Sequence, residues 1–170
     1  MSRFLSDGRR LDEFLHSQLV ACPQCGKRTE LVYRDGEVRL ACLMCGHCRS
    51  MGCVPNPEGD PAIANGIPGV DFSASRISWS LTAWKSVELW LRTPCCGDTL
   101  WAYNLEHLSY LKGFIAASLR ERRPDRRTPK GPVIWQNKAA ISRMPRWMKD
   151  HRNRGAILAA IAKLERMARP

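Results

Sequence analysis

Two cysteine pairs near the N-terminus constrain the fold of this chain more than any other feature. The chain contains the segments Cys22-Pro-Gln-Cys25-Gly and Cys42-Leu-Met-Cys45-Gly, with sixteen residues between Cys25 and Cys42. A two-residue spacing lets one tight turn present two sulfurs to one ion, and the glycine after each pair tolerates the positive φ that such a turn needs. The pattern predicts one tetrahedral zinc site formed by Cys22, Cys25, Cys42 and Cys45, with an iron site of rubredoxin type as the alternative.

The sequence between the two pairs is typical of a β-hairpin. Residues 29–34 and 37–41 are strand-like, and Asp35-Gly36 suits the two-residue turn that would join them. Such a hairpin brings the two cysteine turns to the same end of the sheet. The four sulfurs can then converge on one ion.

The number of cysteines also bears on the compartment. The chain has 170 residues with eight cysteines. It contains no apolar run long enough to span a membrane and no signal-peptide core, so we expect a cytoplasmic protein without a membrane partner. Cytoplasmic thiols are kept reduced, which favours metal ligation over disulfides.

Residues 20–50 resemble the zinc ribbons of the transcription factor IIB type, which share the Cys-Pro-x-Cys-Gly and Cys-x-x-Cys-Gly pattern. The wider chain is similar to a group of small, uncharacterised bacterial zinc-ribbon proteins. The residues that carry this second resemblance are 89–108, Leu-Trp-Leu-Arg-Thr-Pro-Cys-Cys-Gly-Asp-Thr-Leu-Trp-Ala-Tyr-Asn-Leu-Glu-His-Leu, and 145–149, Pro-Arg-Trp-Met-Lys. The resemblance implies that the ribbon and the later hairpin belong to one architecture.

Hydrophobic periodicity and turn residues divide the rest of the chain. Leu11, Phe14, Leu15 and Leu19 follow a helical spacing. The predicted elements are an amphipathic helix at 8–20, a proline- and glycine-rich loop at 54–80, a hairpin at 86–103 with Cys95 and Cys96 in its turn, a helix from an Asn104 cap to about Arg122, a basic linker at 123–136, a helix at 138–150 interrupted by Pro145, and a helix at 153–168.

These elements predict an α+β fold with two parts. Residues 1–122 form a zinc-ribbon core, in which the second hairpin packs on the helix that starts at Asn104. Residues 123–170 form a basic helical tail. An apolar stripe at Ile157, Leu158, Ile161, Leu164 and Met167 marks the last helix.

The four remaining cysteines allow more than one interpretation. Cys48, Cys53, Cys95 and Cys96 could form a second zinc site, but adjacent cysteines are awkward ligands because neighbouring strand residues point to opposite faces. Free or buried thiols are the interpretation we prefer. Cys96 and His107 could also be drawn as a nucleophile and base, although no wider catalytic constellation accompanies them.

The positive charge of the chain is concentrated near its C-terminus. Residues 1–119 carry 12 basic and 12 acidic residues, whereas residues 120–154 carry 12 basic and 3 acidic ones. A localised basic stretch is typical of a protein that binds a polyanion such as a nucleic acid. We therefore expect a non-catalytic protein that binds DNA or RNA, with contacts from Arg143, Arg146, Trp147, Lys149, Arg152 and Arg154. The alternative is an adaptor that docks on a protein partner through its C-terminal helices.

Overall fold

The computed structural model describes residues 3–34, 37–55, 61–63, 87–122 and 139–169. For residues 12, 51–55, 61–63 and 120–122 it describes the backbone only. The fold is mixed α+β, as predicted. Its elements are β1 (Arg3–Ser6), a 3₁₀ turn (Leu11–Phe14), β2 (Ser17–Ala21), β3 (Arg28–Arg34), β4 (Glu37–Ala41), β5 (Cys48–Pro55), β6 (Pro61–Ile63), β7 (Arg92–Cys95), β8 (Asp98–Trp101), α1 (Leu105–Ala116), β9 (Leu119–Arg122), α2 (Arg146–Lys149), a second 3₁₀ turn (His151–Asn153) and α3 (Arg154–Ala168).

An antiparallel sheet in the order β2-β3-β4-β5-β6 forms the N-terminal part of the fold. The predicted hairpin is its centre, with Glu30 opposite Ala41 and Arg34 opposite Glu37. The connecting residues 35–36 lie outside the described part. The sheet is wider than the predicted hairpin, because β2 pairs with β3 across the first cysteine turn and β4 pairs with β5 across the second. β6 in turn pairs with the end of β5, so part of the segment 54–80, expected to be a loop, is strand.

The second hairpin, β7–β8, is confirmed, and it is attached to the free edge of β2. Trp90 N donates to Leu19 O at 2.9 Å, and Ala21 N donates to Glu88 O at 2.8 Å. Leu19 N in turn donates to Tyr103 O at 2.7 Å. These bonds join β2 to the segments on both sides of the second hairpin, so the two cysteine-bearing hairpins are connected through β2.

The prediction of a helix at 8–20 is wrong. Residues 11–14 form only a 3₁₀ turn, and β2 begins at Ser17. The spacing that suggested a helix comes from Phe14, which is fully buried in the main core, and from Leu15 and Leu19, which pack against it. Pairing of β2 with β3 on one side and residues 88–90 on the other outweighs the local periodicity.

The helix that follows Asn104 is confirmed at its start but is shorter than predicted. Asn104 Oδ1 accepts a hydrogen bond from His107 N at 2.8 Å, which caps the first turn. The helix ends at Ala116 instead of about Arg122, and the next residues form β9. This strand pairs in parallel with β1, with Arg3 opposite Leu119, so a long-range partner ends the helix.

The C-terminal segment packs on the core. Ile157, Ile161 and Leu164 of α3 are fully buried, in the same cluster as Leu91 of the second hairpin and Ile115 of α1. The helix predicted at 138–150 is reduced to turns and the four residues of α2 after Pro145, whereas the predicted helix at 153–168 is confirmed as α3. The basic linker at 123–136 lies outside the described residues, and the domain boundary placed there stays a prediction.

Two side chains from other segments bind the last carbonyls of α3. Trp90 Nε1 donates to Met167 O at 3.0 Å, and the Arg28 guanidinium donates to Ala168 O. These donors satisfy carbonyl groups that have no partner within the helix. Among the described residues, no helix combines the length and the apolar character needed to cross a membrane.

Candidate functional site

Two matching six-residue turns carry the predicted metal ligands. We call them the cysteine knuckles, residues 22–27 between β2 and β3 and residues 42–47 between β4 and β5. In the first knuckle Cys22 N donates to Lys27 O and Gly26 N donates to Cys22 O, both at 2.8 Å. The equivalent bonds in the second knuckle, from Cys42 N to His47 O and from Gly46 N to Cys42 O, measure 2.8 and 2.9 Å.

The glycine of each knuckle has the left-handed backbone that the sequence predicted. The φ angles of Gly26 and Gly46 are 68° and 73°. Because the sheet is antiparallel, both knuckles lie at the end of β3 and β4 opposite the Arg34–Glu37 pair. The sequence spacing alone therefore predicted the local geometry and its placement.

The four knuckle sulfurs converge on one point. The Sγ atoms of Cys22, Cys25, Cys42 and Cys45 all lie within 4.8 Å of one another. The Cys22–Cys45 and Cys25–Cys42 distances, which join one knuckle to the other, are both 3.7 Å. A tetrahedron of thiolates with bonds of about 2.3 Å has sulfurs about 3.8 Å apart. The four cysteines lie close enough to bind a metal ion, and their spacing fits one of the size of zinc.

Electrostatics at the knuckles also favour a cation. Burial raises the pKa of the Cys42 thiol, but the backbone amides of Met44 and Cys45 and the neighbouring sulfurs outweigh it and lower that pKa to about 7. The His47 amide lowers the pKa of Cys45, yet desolvation and the three other sulfurs raise it to about 12. Four thiolates at this separation repel one another, so all four can ionise together only around a positive ion.

The ligand set indicates a structural role for a metal. Four protein ligands fill a tetrahedral ion and leave no position for water or substrate, in contrast to catalytic zinc sites with three protein ligands. Thiolates also select soft or borderline ions over magnesium and calcium. Cys22 and Cys42 are buried, while Cys45 is exposed at one side.

The described side chains of the other cysteines, Cys48, Cys95 and Cys96, do not join the four knuckle sulfurs. Cys48 is exposed at the start of β5, and the side chain of Cys53 lies outside the description. Cys95 and Cys96 lie in the turn of the second hairpin, with their sulfurs 3.6 Å apart. Within the described side chains, the only group of three or more candidate ligands is the knuckle set.

His107 lies inside the main core. Its ring stacks against Phe14 and Tyr103, with ring centroids at 4.9 and 5.4 Å. Its Nδ1 accepts a hydrogen bond from Tyr103 N at 3.4 Å. Burial lowers the pKa of His107 to about 4, so the ring is neutral at physiological pH. These contacts describe a packed core histidine and give no pairing with Cys96.

The six residues predicted to contact nucleic acid divide into two groups. Arg143, Arg146 and Arg152 are exposed. The other three are partly buried and make contacts within the protein. Trp147 packs against the main core, Lys149 Nζ donates to Ser142 O at 3.1 Å, and Arg154 donates to Ala116 O.

Sequence reasoning missed two features of the cysteine turns. The first is the set of amide hydrogen bonds to the knuckle sulfurs, which the paired Cys-Gly dipeptides could have indicated. The second is the proximity of Cys95 and Cys96, which depends on the positive φ of Cys96. The sequence signal for it was Gly97, since Cys-Gly between two short strands is typical of a tight hairpin turn.

Comparison with known proteins gives no relative: no protein-family model, no curated protein and no solved structure matches the chain. The resemblance to the transcription factor IIB type of ribbon therefore stays a prediction based on the motif.

Proposed function

We propose that this chain is a zinc-stabilised, non-catalytic nucleic-acid-binding protein, whose cysteine knuckles form a zinc ribbon of the transcription factor IIB type. The observation that carries the proposal is the display of Arg143, Arg146 and Arg152 on a segment that is itself packed on the core. Guanidinium groups bind phosphates in bidentate geometry and release counterions from the nucleic acid.

Four neighbouring side chains hold this segment in place, and we call it the basic segment (residues 139–154). Trp147 packs on the main core, and Asn153 Nδ2 donates to Trp147 O at 2.9 Å. Lys149 bonds to Ser142 O within the segment, and Arg154 bonds to Ala116 O at the end of α1. Arginines on a backbone fixed in this way lose less conformational entropy on binding than arginines on a free tail.

The local charge balance supports a polyanionic partner. The basic segment contains five basic residues and one acidic residue, Asp150. Asp150 pairs with Arg152, with 3.4 Å between Oδ1 and Nε, and Arg152 remains 81% exposed. A single partly neutralised carboxylate leaves the segment strongly positive. It therefore attracts phosphate over the range of the Debye length.

The proposed zinc acts through the fold and makes no contact with the nucleic acid. Arg28 begins β3 directly after the first knuckle and bonds to the end of α3. The knuckles and the helix that follows the basic segment are thus joined by one side chain. Loss of zinc would loosen this support.

A salt titration tests the nucleic-acid proposal. Replacing Arg143, Arg146 and Arg152 with glutamine should weaken binding to a duplex probe and flatten the salt slope by about 0.9 for each phosphate that is no longer neutralised. The matched control replaces the exposed Arg34, Arg39 and Arg49 of the sheet with glutamine, which removes the same charge elsewhere. The measurement is fluorescence anisotropy on duplex and single-strand DNA and RNA probes.

Two results would contradict the proposal. Equal losses of affinity in both triple variants would mean that net charge, and not the basic segment, drives binding. No binding by the wild type at low salt would favour the protein adaptor instead. That alternative relied on the C-terminal helices, and the apolar face of α3 at Ile157, Ile161 and Leu164 is already buried in the core.

A further inference from the structure

The turn of the second hairpin holds two adjacent thiols in an unusual arrangement. Cys95 pairs with Asp98, so Cys96 and Gly97 are the two central residues of the turn. Their φ angles are 54° and 80°, and Cys96 is the only residue other than glycine with a positive φ in the described part of the chain. Asparagine and glycine are the usual residues for such positions, and cysteine is not.

This backbone brings together two side chains that would otherwise diverge. Neighbouring residues on a strand point to opposite faces. The left-handed conformation of Cys96 turns its side chain back toward Cys95, and the two sulfurs lie 3.6 Å apart. Cys95 is buried in the main core and fixes one sulfur, while Cys96 is exposed.

The spacing of the two sulfurs is poorly suited to a disulfide. The Cα atoms of adjacent residues are about 3.8 Å apart across a trans peptide, below the range of about 4.4–6.8 Å found for disulfides. The sulfurs would also have to approach from 3.6 Å to about 2.05 Å. Closing that bond would distort the hairpin turn.

The same spacing suits a chelated ion without any movement. For bonds of about 2.3 Å, sulfurs at this separation subtend an angle of about 100° at the ion, and the separation nearly equals the 3.7 Å between paired knuckle sulfurs. That angle matches a pyramidal or tetrahedral centre. A linear two-coordinate ion would need sulfurs about 4.6 Å apart.

We propose that Cys95 and Cys96 form a bidentate thiolate site for a soft, pyramidal metalloid or metal ion of the trivalent arsenic class, separate from the knuckle site. No third histidine, cysteine or carboxylate joins them among the described side chains. The described side chains thus supply two ligands, and the exposed Cys96 gives the ion access to them.

The binding step leaves oxidation states unchanged. With a monosubstituted arsenic(III) oxide, two As–S bonds form, the As–O bond and two S–H bonds break, and one water leaves with both protons. Burial, and then the neighbouring Cys96, raises the pKa of Cys95 to about 11, so its thiol is protonated at neutral pH. Both protons leave in the water, so the step releases no proton to the solvent and should not become more favourable as the pH rises.

Phenylarsine oxide is a suitable probe because it needs two thiols. The full chain, first loaded with zinc, should take up one phenylarsine group and lose two titratable thiols while keeping its zinc. Cys96→Gly should bind at least about 100-fold more weakly in competition with glutathione, since a single thiol lacks the second, intramolecular bond. Glycine suits the positive φ of this position, so the variant should fold.

The control is the double variant Cys48→Ser, Cys53→Ser, which should bind the probe as the wild type does. An adduct of equal stability in Cys96→Gly would overturn the proposal. Failure of the wild type to form an adduct, or release of zinc in step with adduct formation, would also overturn it. The readouts are intact mass under native conditions and a colorimetric zinc assay, and neither depends on nucleic-acid binding.

Discussion

The side-chain nitrogen of Asn104 donates to the backbone oxygen of Phe14 at 2.9 Å, across 90 residues of sequence. The same nitrogen donates to Ser17 O at 2.8 Å, while Oδ1 caps α1 through His107 N. One buried amide thus joins the start of a helix to the segment that enters β2. All of its hydrogen-bonding groups are used within the protein.

Replacing Asn104 should therefore cost more than the loss of an ordinary helix cap. We expect Asn104→Ala to lower the free energy of unfolding by about 2–4 kcal/mol, because it also removes the bonds to the Phe14 and Ser17 carbonyls. Asn104→Ser keeps an acceptor for the cap and loses both long-range bonds, so its loss of stability should be smaller. Urea denaturation measures both, and equal losses would show that the cap contributes nothing.

Metal content should depend on the knuckles alone. Purified protein should contain one zinc per chain, and Cys25→Ala should lose it and unfold the sheet, since structural zinc contributes about 10–16 kcal/mol of apparent binding free energy. Cys48→Ser is the matched control, because this exposed thiol lies just outside the second knuckle. Elemental analysis and circular dichroism are the measurements. A well-folded wild type without metal would contradict the prediction, and a red iron-containing protein would identify the rubredoxin-type alternative.

The buried His107 should make stability depend on pH. Its pKa is lowered to about 4 in the folded chain, against about 6.5 when unfolded, so the unfolded state binds more protons between these values. Stability should be highest above pH 6.5 and fall by about 3 kcal/mol as the pH approaches 4.

The comparison with His107→Phe isolates this effect from acid release of zinc. This variant should show a flatter pH profile of the urea midpoint over the same range, while His16→Gln, which changes an exposed histidine, should keep the wild-type profile. Parallel profiles in the wild type and His107→Phe would assign the pH dependence to other groups.

Arg154 should act on stability and not on nucleic-acid affinity. Its guanidinium bonds to Ala116 O, at the C-terminal end of α1. Arg154→Lys keeps the charge but cannot reproduce the planar donor, and we expect a loss of about 1–2 kcal/mol in the free energy of unfolding. The salt slope of binding should be unchanged. A weaker slope with unchanged stability would place Arg154 in the phosphate contacts instead.

Local features of this fold could be predicted from the sequence. The knuckles follow from Cys-x-x-Cys-Gly, and the start of α1 follows from the capping ability of Asn104. The stripe from Ile157 to Leu164 predicted α3 because a helical face is visible within a few turns. Each of these depends on residues that are close along the chain.

Features that depend on distant partners could not be predicted in this way. The helical spacing from Leu11 to Leu19 was misleading because β2 pairs on both edges with other segments of the chain. Residues 119–122 were predicted to continue α1 but pair with β1, which is more than a hundred residues away in the sequence. The packing of α3 on β7 and α1 also has no local signal, which is why the C-terminal segment looked like a tail.

The bonds from Trp90 and Arg28 to the last turn of α3 make this turn a possible reporter of metal binding at the knuckles. Arg28 follows the first knuckle directly, so release of the knuckle ion should let the final helical turn fray. Trp90 donates to Met167 O and would lose that partner at the same time. A fluorophore attached to the last turn of α3 would then register metal occupancy without touching the metal ligands.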